Sequence, residues 1–205
     1  MEATNVAAIE WGVASSVLPG QSQSGDRHFV CSFPDGALLG VVDGLGHGDE
    51  AAAASAKAVH VIENGAELPI TALMQRCHEE LKATRGVVIS VASVTISRGL
   101  MAWIGVGNVQ GVLLRAGTQM PQPQEVLLLR GGVLGIHLPP LAAEVLEVLP
   151  GDILIFATDG VREEFARGPI TADASEEAAK NVLGHFWKGN DDALVLVARF
   201  LGNRK

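Results

Sequence analysis

Apolar residues fall along this chain in short runs, most of them rich in Val, Ile and Leu and bounded by Gly, Pro, Asn or Asp. The runs predict strands at Val6 to Ala14, His28 to Phe33, Ala37 to Val42, Val87 to Ser97, Met101 to Gly105, Val109 to Arg115, Glu125 to Leu129, Glu144 to Leu149, Ile153 to Ala157 and Ala193 to Phe200. Between the third and fourth runs the period changes. Glu50 to Glu63 is alanine-rich, and Ile70 to Thr84 sets Leu73, Cys77 and Leu81 four apart, so two helices are predicted there. A third helix is predicted at Ala174 to Trp187, capped by Ser175 ahead of Glu176 and Glu177, with Val182, Leu183 and Phe186 on one face. Ala116 to Gln124, where Pro121 and Pro123 sit among glutamines, reads as a hairpin loop. A strand block, a helix pair, a longer strand block, a helix and a closing strand predict an α+β fold of two antiparallel sheets with helices packed outside.

Composition narrows the partners. With 205 residues, 48% of them hydrophobic and 19% charged, residues 1–205 are expected to form one packed domain. The longest apolar run, Val87 to Val94, is interrupted by Ser90 and Ser93 and falls short of the roughly 20 residues that span a bilayer. No basic segment leads into an apolar stretch at Met1 to Thr4, so the expectation is a cytoplasmic protein with no membrane partner. Cys31 and Cys77, far apart among apolar neighbours, read as buried reduced thiols. Fifteen basic against 23 acidic residues, a net charge of −8, and no basic patch argue against a nucleic-acid partner.

The acids gather at glycine-flanked positions. In Gly40-Val41-Val42-Asp43-Gly44-Leu45-Gly46-His47-Gly48-Asp49 a buried strand delivers Asp43 into a glycine-rich turn ahead of a helix, where the Gly44 backbone is free to approach a ligand. A phosphate-cradling loop is a weaker reading, since no Lys follows these glycines, and Asp-Gly is also an ordinary hairpin signal. The same device recurs at Ile153 to Ala157, Thr158-Asp159-Gly160-Val161, preceded by Pro150-Gly151-Asp152, where Asp152 reads as a turn acid. After a fully apolar strand, Asp159 must be solvated, paired or metal-bound. In Gly189-Asn190-Asp191-Asp192 the acids begin a strand. If that strand is antiparallel to those ending in Asp43 and Asp159, the three acidic loops meet at one edge. Gly25-Asp26 reads equally well as a solvated turn.

Several carboxylates with a glycine carbonyl, and no His/Cys cluster at zinc spacing, suit two Mn2+ or Mg2+ ions. Such a pair, roughly 3.5–4 Å apart, supports hydrolysis of phosphate esters. No Gly-x-Ser-x-Gly elbow is present to support a serine hydrolase. Neither cysteine, one in a predicted strand and one in a predicted helix, reads as a nucleophile.

These motifs, in this order and over nearly the whole chain, resemble those of metal-dependent protein serine/threonine phosphatases, the PPM family, in its SpoIIE-like bacterial branch. The resemblance implies an α-β-β-α sandwich in which Asp43 bridges two metals, the Gly44 carbonyl binds one, and Asp159 and Asp191 complete the ligand set. It also implies that Asp26 orients a metal-bound water, with Asp192 as second choice to Asp191. Two positions depart from the family. About where eukaryotic members carry a phosphate-gripping Arg this chain has Gln21, with Arg27 as a substitute, and the nearest histidine to Gly44 is His47, read as supporting the loop. A bare catalytic domain resembles the feedback phosphatases of the branch. That implies phosphorylated regulatory proteins as partners, namely stressosome STAS-domain proteins carrying phosphoserine or phosphothreonine. The alternative is a catalytically silent or partner-gated phosphoprotein-binding regulator, with the helix after Gly48 moving Asp43 and Gly44.

Overall fold

Gly36–Gly44 and Ala193–Phe200 are buried on both faces along almost their whole length, so each must lie in a sheet covered on both sides. The computed structural model, which describes residues 8–117, 123–167 and 174–202, meets that demand with four layers. In chain order the elements are β1 (Ile9–Ser16), β2 (Asp26–Phe33), β3 (Gly36–Gly44), α1 (Asp49–Glu63), α2 (Ile70–Leu81), β4 (Val87–Thr95), β5 (Leu100–Val106), β6 (Gln110–Leu114), β7 (Gln124–Val126), β8 (Leu129–Arg130) and β9 (Glu144–Glu147). There follow β10 (Ile153–Ala157), a 3-10 turn (Glu163–Arg167), α3 (Ser175–Phe186) and β11 (Ala193–Phe200). One sheet has the order β1-β11-β10-β6-β7, the other β2-β3-β4-β5-β8, with β9 also pairing β5.

Period-two alternation assigns each side chain to a layer. Leu39 and Val41 of β3 meet Phe156 of β10 and Leu194 and Leu196 of β11 between the sheets, around the fully buried Trp103. Their neighbours Leu38 and Val42 face the other way, onto Leu73 and Cys77 of α2 and Ala54 and Ala58 of α1. Ile155, Val195 and Val197 likewise turn outward onto Ala178 and Val182 of α3. Truncating a side chain such as Phe156 would cost about 3–5 kcal/mol, because its cavity has close-packed walls on every side.

The predicted helix pair, third helix and α-β-β-α layering are all present. Three expectations need correction. The run Glu125 to Leu129 is not one strand. β7 pairs β6 in one sheet, β8 pairs β5 in the other, and the chain crosses at Leu127, which is buried between the sheets and donates its N–H to the Gly111 carbonyl. An unbroken strand could not have placed Leu127 in that core. The β5–β8 pair is parallel, so the sheets are not wholly antiparallel. Ser175 does not cap α3: Ala174 holds the cap position, while the Ser175 N–H donates 2.7 Å to Glu10 Oε1 and its hydroxyl donates to the Glu10 carbonyl. Of the hairpin loop Ala116 to Gln124, residues 118–122 lie outside the described residues, as do Val6 and Ala7 of the first predicted strand. The loop's base is closed by the Arg115 N–H donating to the Pro123 carbonyl.

Candidate metal centre

Strand direction alone brings the acidic loops together. β3 ends at Asp43-Gly44, β10 ends just before Asp159, and β11, antiparallel to β10, begins just after Asp191-Asp192. Asp26 opens β2 and is the direct cross-strand partner of Asp43. Like charges set opposite one another across a ladder repel. A cleft of about 200 Å³ is lined by Asp26, Asp43, Asp159, Asp191 and Asp192, together with Asn108 and His47. Gly44 is buried just behind it, at the end of β3.

Both Asp-Gly pairs are glycine for the same steric reason. A Cβ on Gly44 would lie 2.2 Å from the Ala51 carbonyl of α1, and one on Gly160 would lie 1.8 Å from the Asp192 carbonyl. Neither is the hairpin turn that Asp-Gly often signals. In each, the glycine lets a second backbone press against the strand end that carries the acid.

Hydrogen bonds span the seam between the sheets. The Thr158 hydroxyl donates 2.7 Å to Asp26 Oδ2 and accepts from the Leu194 N–H at 2.8 Å. Asp192 accepts from the Leu18 N–H through Oδ1 and from the Gly25 N–H through Oδ2, both at 2.7 Å. It thereby ties the segment leading into Asp26 to the start of β11. Asn108 donates 2.7 Å to Asp159 Oδ2, and Lys188 donates 2.6 Å to the Asp159 carbonyl. Asp43 receives no side-chain hydrogen bond among the described residues.

The electrostatics follow from that shortage of donors. Burial, followed by repulsion from Asp26, Asp159, Asp191 and Asp192, pushes the Asp43 carboxyl up to about 8. Burial also raises Asp26 to about 7 against the opposing pull of the Thr158 bond, with Asp192, Asp159 and Asp191 adding to the rise. Asp159 is raised by burial and by Asp191, a shift that Lys188 and Asn108 moderate. A divalent cation would relieve this repulsion, and the donor set is all oxygen, as Mg2+ and Mn2+ prefer. Among the described residues no three acidic, His or Cys side chains close around one point as a complete cage. Waters and backbone oxygen would therefore have to fill the remaining positions, which is the usual manner of holding Mg2+.

Asn108 and Lys188 lie outside the motifs, and Thr158 stands in one without a role of its own. Gly107-Asn108 between two strands is a turn signal, and only the β6–β10 register, with Gln110 opposite Ala157, brings Asn108 beside Asp159. Arg27 is exposed and is not among the cleft residues, whereas the Arg85 guanidinium lies against Gly46 and pairs with Glu50 at 2.7 Å. Burial and the nearby Glu63 push the Cys31 thiol up to about 11, and burial and Glu80 push Cys77 up to about 12, which removes both as thiolate nucleophiles at neutral pH.

Two antiparallel-dominated sheets between helical layers, with acids at one edge of both, define a PP2C-type phosphatase fold. A family model described as Stage II sporulation protein E (SpoIIE) matches residues 34–201, and the chain belongs to that family. The phosphoserine phosphatase RsbX of Bacillus subtilis (strain 168) is 24% identical over 178 residues, 87% of each chain. The crystal structure of RsbX in complex with magnesium superposes with a TM-score of 0.83 at 22% identity, covering 94% of this chain and 95% of that one. A chain from a structure described as the bacterial stressosome, a modular system adapted to control secondary messenger signalling, gives a TM-score of 0.85 at 28% identity. That match covers 93% of this chain and 99% of the other. The chain is a phosphatase.

Proposed function

We propose that this chain, acting as one catalytic domain in the cytoplasm, hydrolyses phosphoserine and phosphothreonine on regulatory proteins, with stressosome STAS-domain proteins as substrates and two Mn2+ or Mg2+ ions as cofactors. The observation that carries this reading is the cross-strand pair of the buried Asp26 and the half-buried Asp43, two carboxyls set side by side and raised by loss of solvent and by their acidic neighbours. Such a pair gains most from a divalent cation. Similarity to RsbX, a phosphoserine phosphatase, and to a stressosome chain supports the substrate class. No helix among the described residues is long and apolar enough to cross a membrane, and both cysteines are free, in keeping with a reducing compartment.

In this reading Asp43, the Gly44 carbonyl, Asp159 and Asp191 hold the ions. When bound, the ions neutralise phosphoryl charge and make water a better nucleophile. Asn108 holds Asp159 in one rotamer through its 2.7 Å bond. Asp26, fixed through Oδ2 by Thr158, keeps Oδ1 to orient the attacking water and take its proton. Asp192 has a positioning role, since both its oxygens are engaged by backbone N–H groups.

The test is phosphate release from a phosphoserine STAS-domain protein and from p-nitrophenyl phosphate, with Mn2+ and with chelator, for the unmodified chain and Asp159→Asn. Metal-dependent release from both substrates, lost on substitution, is expected. Metal binding without release from either substrate would favour a silent or partner-gated regulator.

A further inference from the structure

A second cleft, of about 380 Å³, is lined in part by Gln110, Val126, Leu129, Glu163 and Glu164. The two clefts share their chain segments. Gln110 lies two residues beyond Asn108, and Glu163 four residues beyond Asp159, so the two clefts are built on neighbouring stretches of the same two segments.

The lining specifies an occupant. Val126 is 61% exposed and the adjoining Leu128 is 69% exposed, although most large apolar residues of this chain are buried. Glu163 and Glu164 are exposed, and neither forms an ion pair among the described residues. Among the described residues β7 is the terminal strand of its sheet, and its outer edge carries backbone groups with no strand partner there. Apolar wall, unpaired carboxylates and open strand edge together suit an extended polypeptide with an apolar and a cationic side chain. The carboxylates disfavour an anionic membrane or a nucleic acid.

We propose that this cleft seats the segment of a phosphoprotein substrate adjoining the phosphorylated residue. An apolar side chain rests on Val126 and Leu129, and a lysine or arginine pairs with Glu163 and Glu164. The proposal rests on the phosphatase reading above and adds a rule for choosing among phosphoproteins: a basic and an apolar residue beside the phosphoserine.

The experiment uses the full chain with Mn2+ and short phosphoserine peptides bearing Leu and Lys on one side or the other, each paired with a version carrying Ser and Glu instead. p-Nitrophenyl phosphate, too small to fill the cleft, reports the acidic site. Relative to the aryl phosphate, kcat/KM for the better Leu/Lys peptide is expected to exceed that of its Ser/Glu counterpart by about threefold to tenfold, the worth of two exposed ion pairs. In the charge-reversed double variant E163K/E164K the preference should invert. Equal kcat/KM for the paired peptides, or the same preference in both proteins, overturns the proposal. Failure of the phosphatase reading would appear separately, as no metal-dependent aryl phosphate hydrolysis. Fluorescence anisotropy of labelled peptides on the two proteins still decides the cleft in that case, by presence or absence of the same inversion.

Discussion

β10 carries an aspartate just beyond each end, one buried and one exposed, and the two live in opposite surroundings. Asp152, ahead of the strand, is fully buried, yet it accepts from the Ala116 N–H at 2.7 Å, from the Leu149 N–H at 3.0 Å and from the Arg115 guanidinium at 3.0 Å. Beyond the other end, Asp159 faces Asp26, Asp43 and Asp191 across a cleft, with one amide donor from Asn108. The first site supplies its charge with donors from the fold. The second concentrates negative charge that the fold's own donors, Asn108 and the nearby Lys188, offset only in part. Burial of an acid therefore does not mark it as functional, whereas a shortage of donors around it does.

Exchanging the two environments gives the strongest test. Asp43→Asn should lower metal-dependent phosphate release at least about a hundredfold, the upper end of what outer-shell partners of a metal cost. It should leave the melting temperature of the chelated protein unchanged or higher, because a repelling charge has gone. Asp152→Asn should do the reverse. Phosphate release is retained, while stability falls by about 3 kcal/mol, or roughly 6–12 °C in melting temperature for a domain of this size, because Arg115 loses a buried counter-charge. Loss of activity in Asp152→Asn with no change in melting temperature would collapse the comparison.

A smaller effect is expected at Asn108→Ala, which frees the Asp159 carboxylate to rotate. Mn2+ affinity by calorimetry should weaken about tenfold with folding intact. The smallest expected effect concerns pH. A carboxyl whose folded value is raised keeps its proton where the unfolded chain has lost it, so its contribution favours the folded state at low pH and fades as pH rises. For Asp43 that window runs from the ordinary 3.8 up to about 8. In chelator the melting temperature should drop by at least about 3 °C between the two ends of the window, the response to about 1 kcal/mol. Saturating Mn2+ should flatten the slope, because the ions bind the deprotonated carboxylates.

The acidic centre was legible in the sequence because strand ends are fixed by simple patterns. An apolar run closing on Asp-Gly puts an acid at a sheet edge, and antiparallel order puts Asp191-Asp192 at the same edge. What stayed hidden depends on contacts between distant segments. Nothing local in Asp191-Asp192 says which acid faces the cleft with a free oxygen and which one binds Leu18 and Gly25. The split of Glu125 to Leu129 between two sheets was hidden for a similar reason, since five residues of strand-like composition carry no mark of the crossing. Ser175 had the composition of a cap, but Glu10 on β1 offered its hydroxyl and N–H another partner. In each case a tertiary contact outweighed a local preference.

β1 and β11 run side by side with Ile9 opposite Phe200, and the Leu201 N–H donates 2.7 Å to the Ala8 carbonyl. Both strands have their other ends, Ser16 and Ala193, at the acidic edge. The described chain therefore enters and leaves through one doorway, a full strand length away from the cleft. Sequence appended at either side of that doorway, or a linker joining the two sides to make a circular permutant, has no need to pass the chemistry.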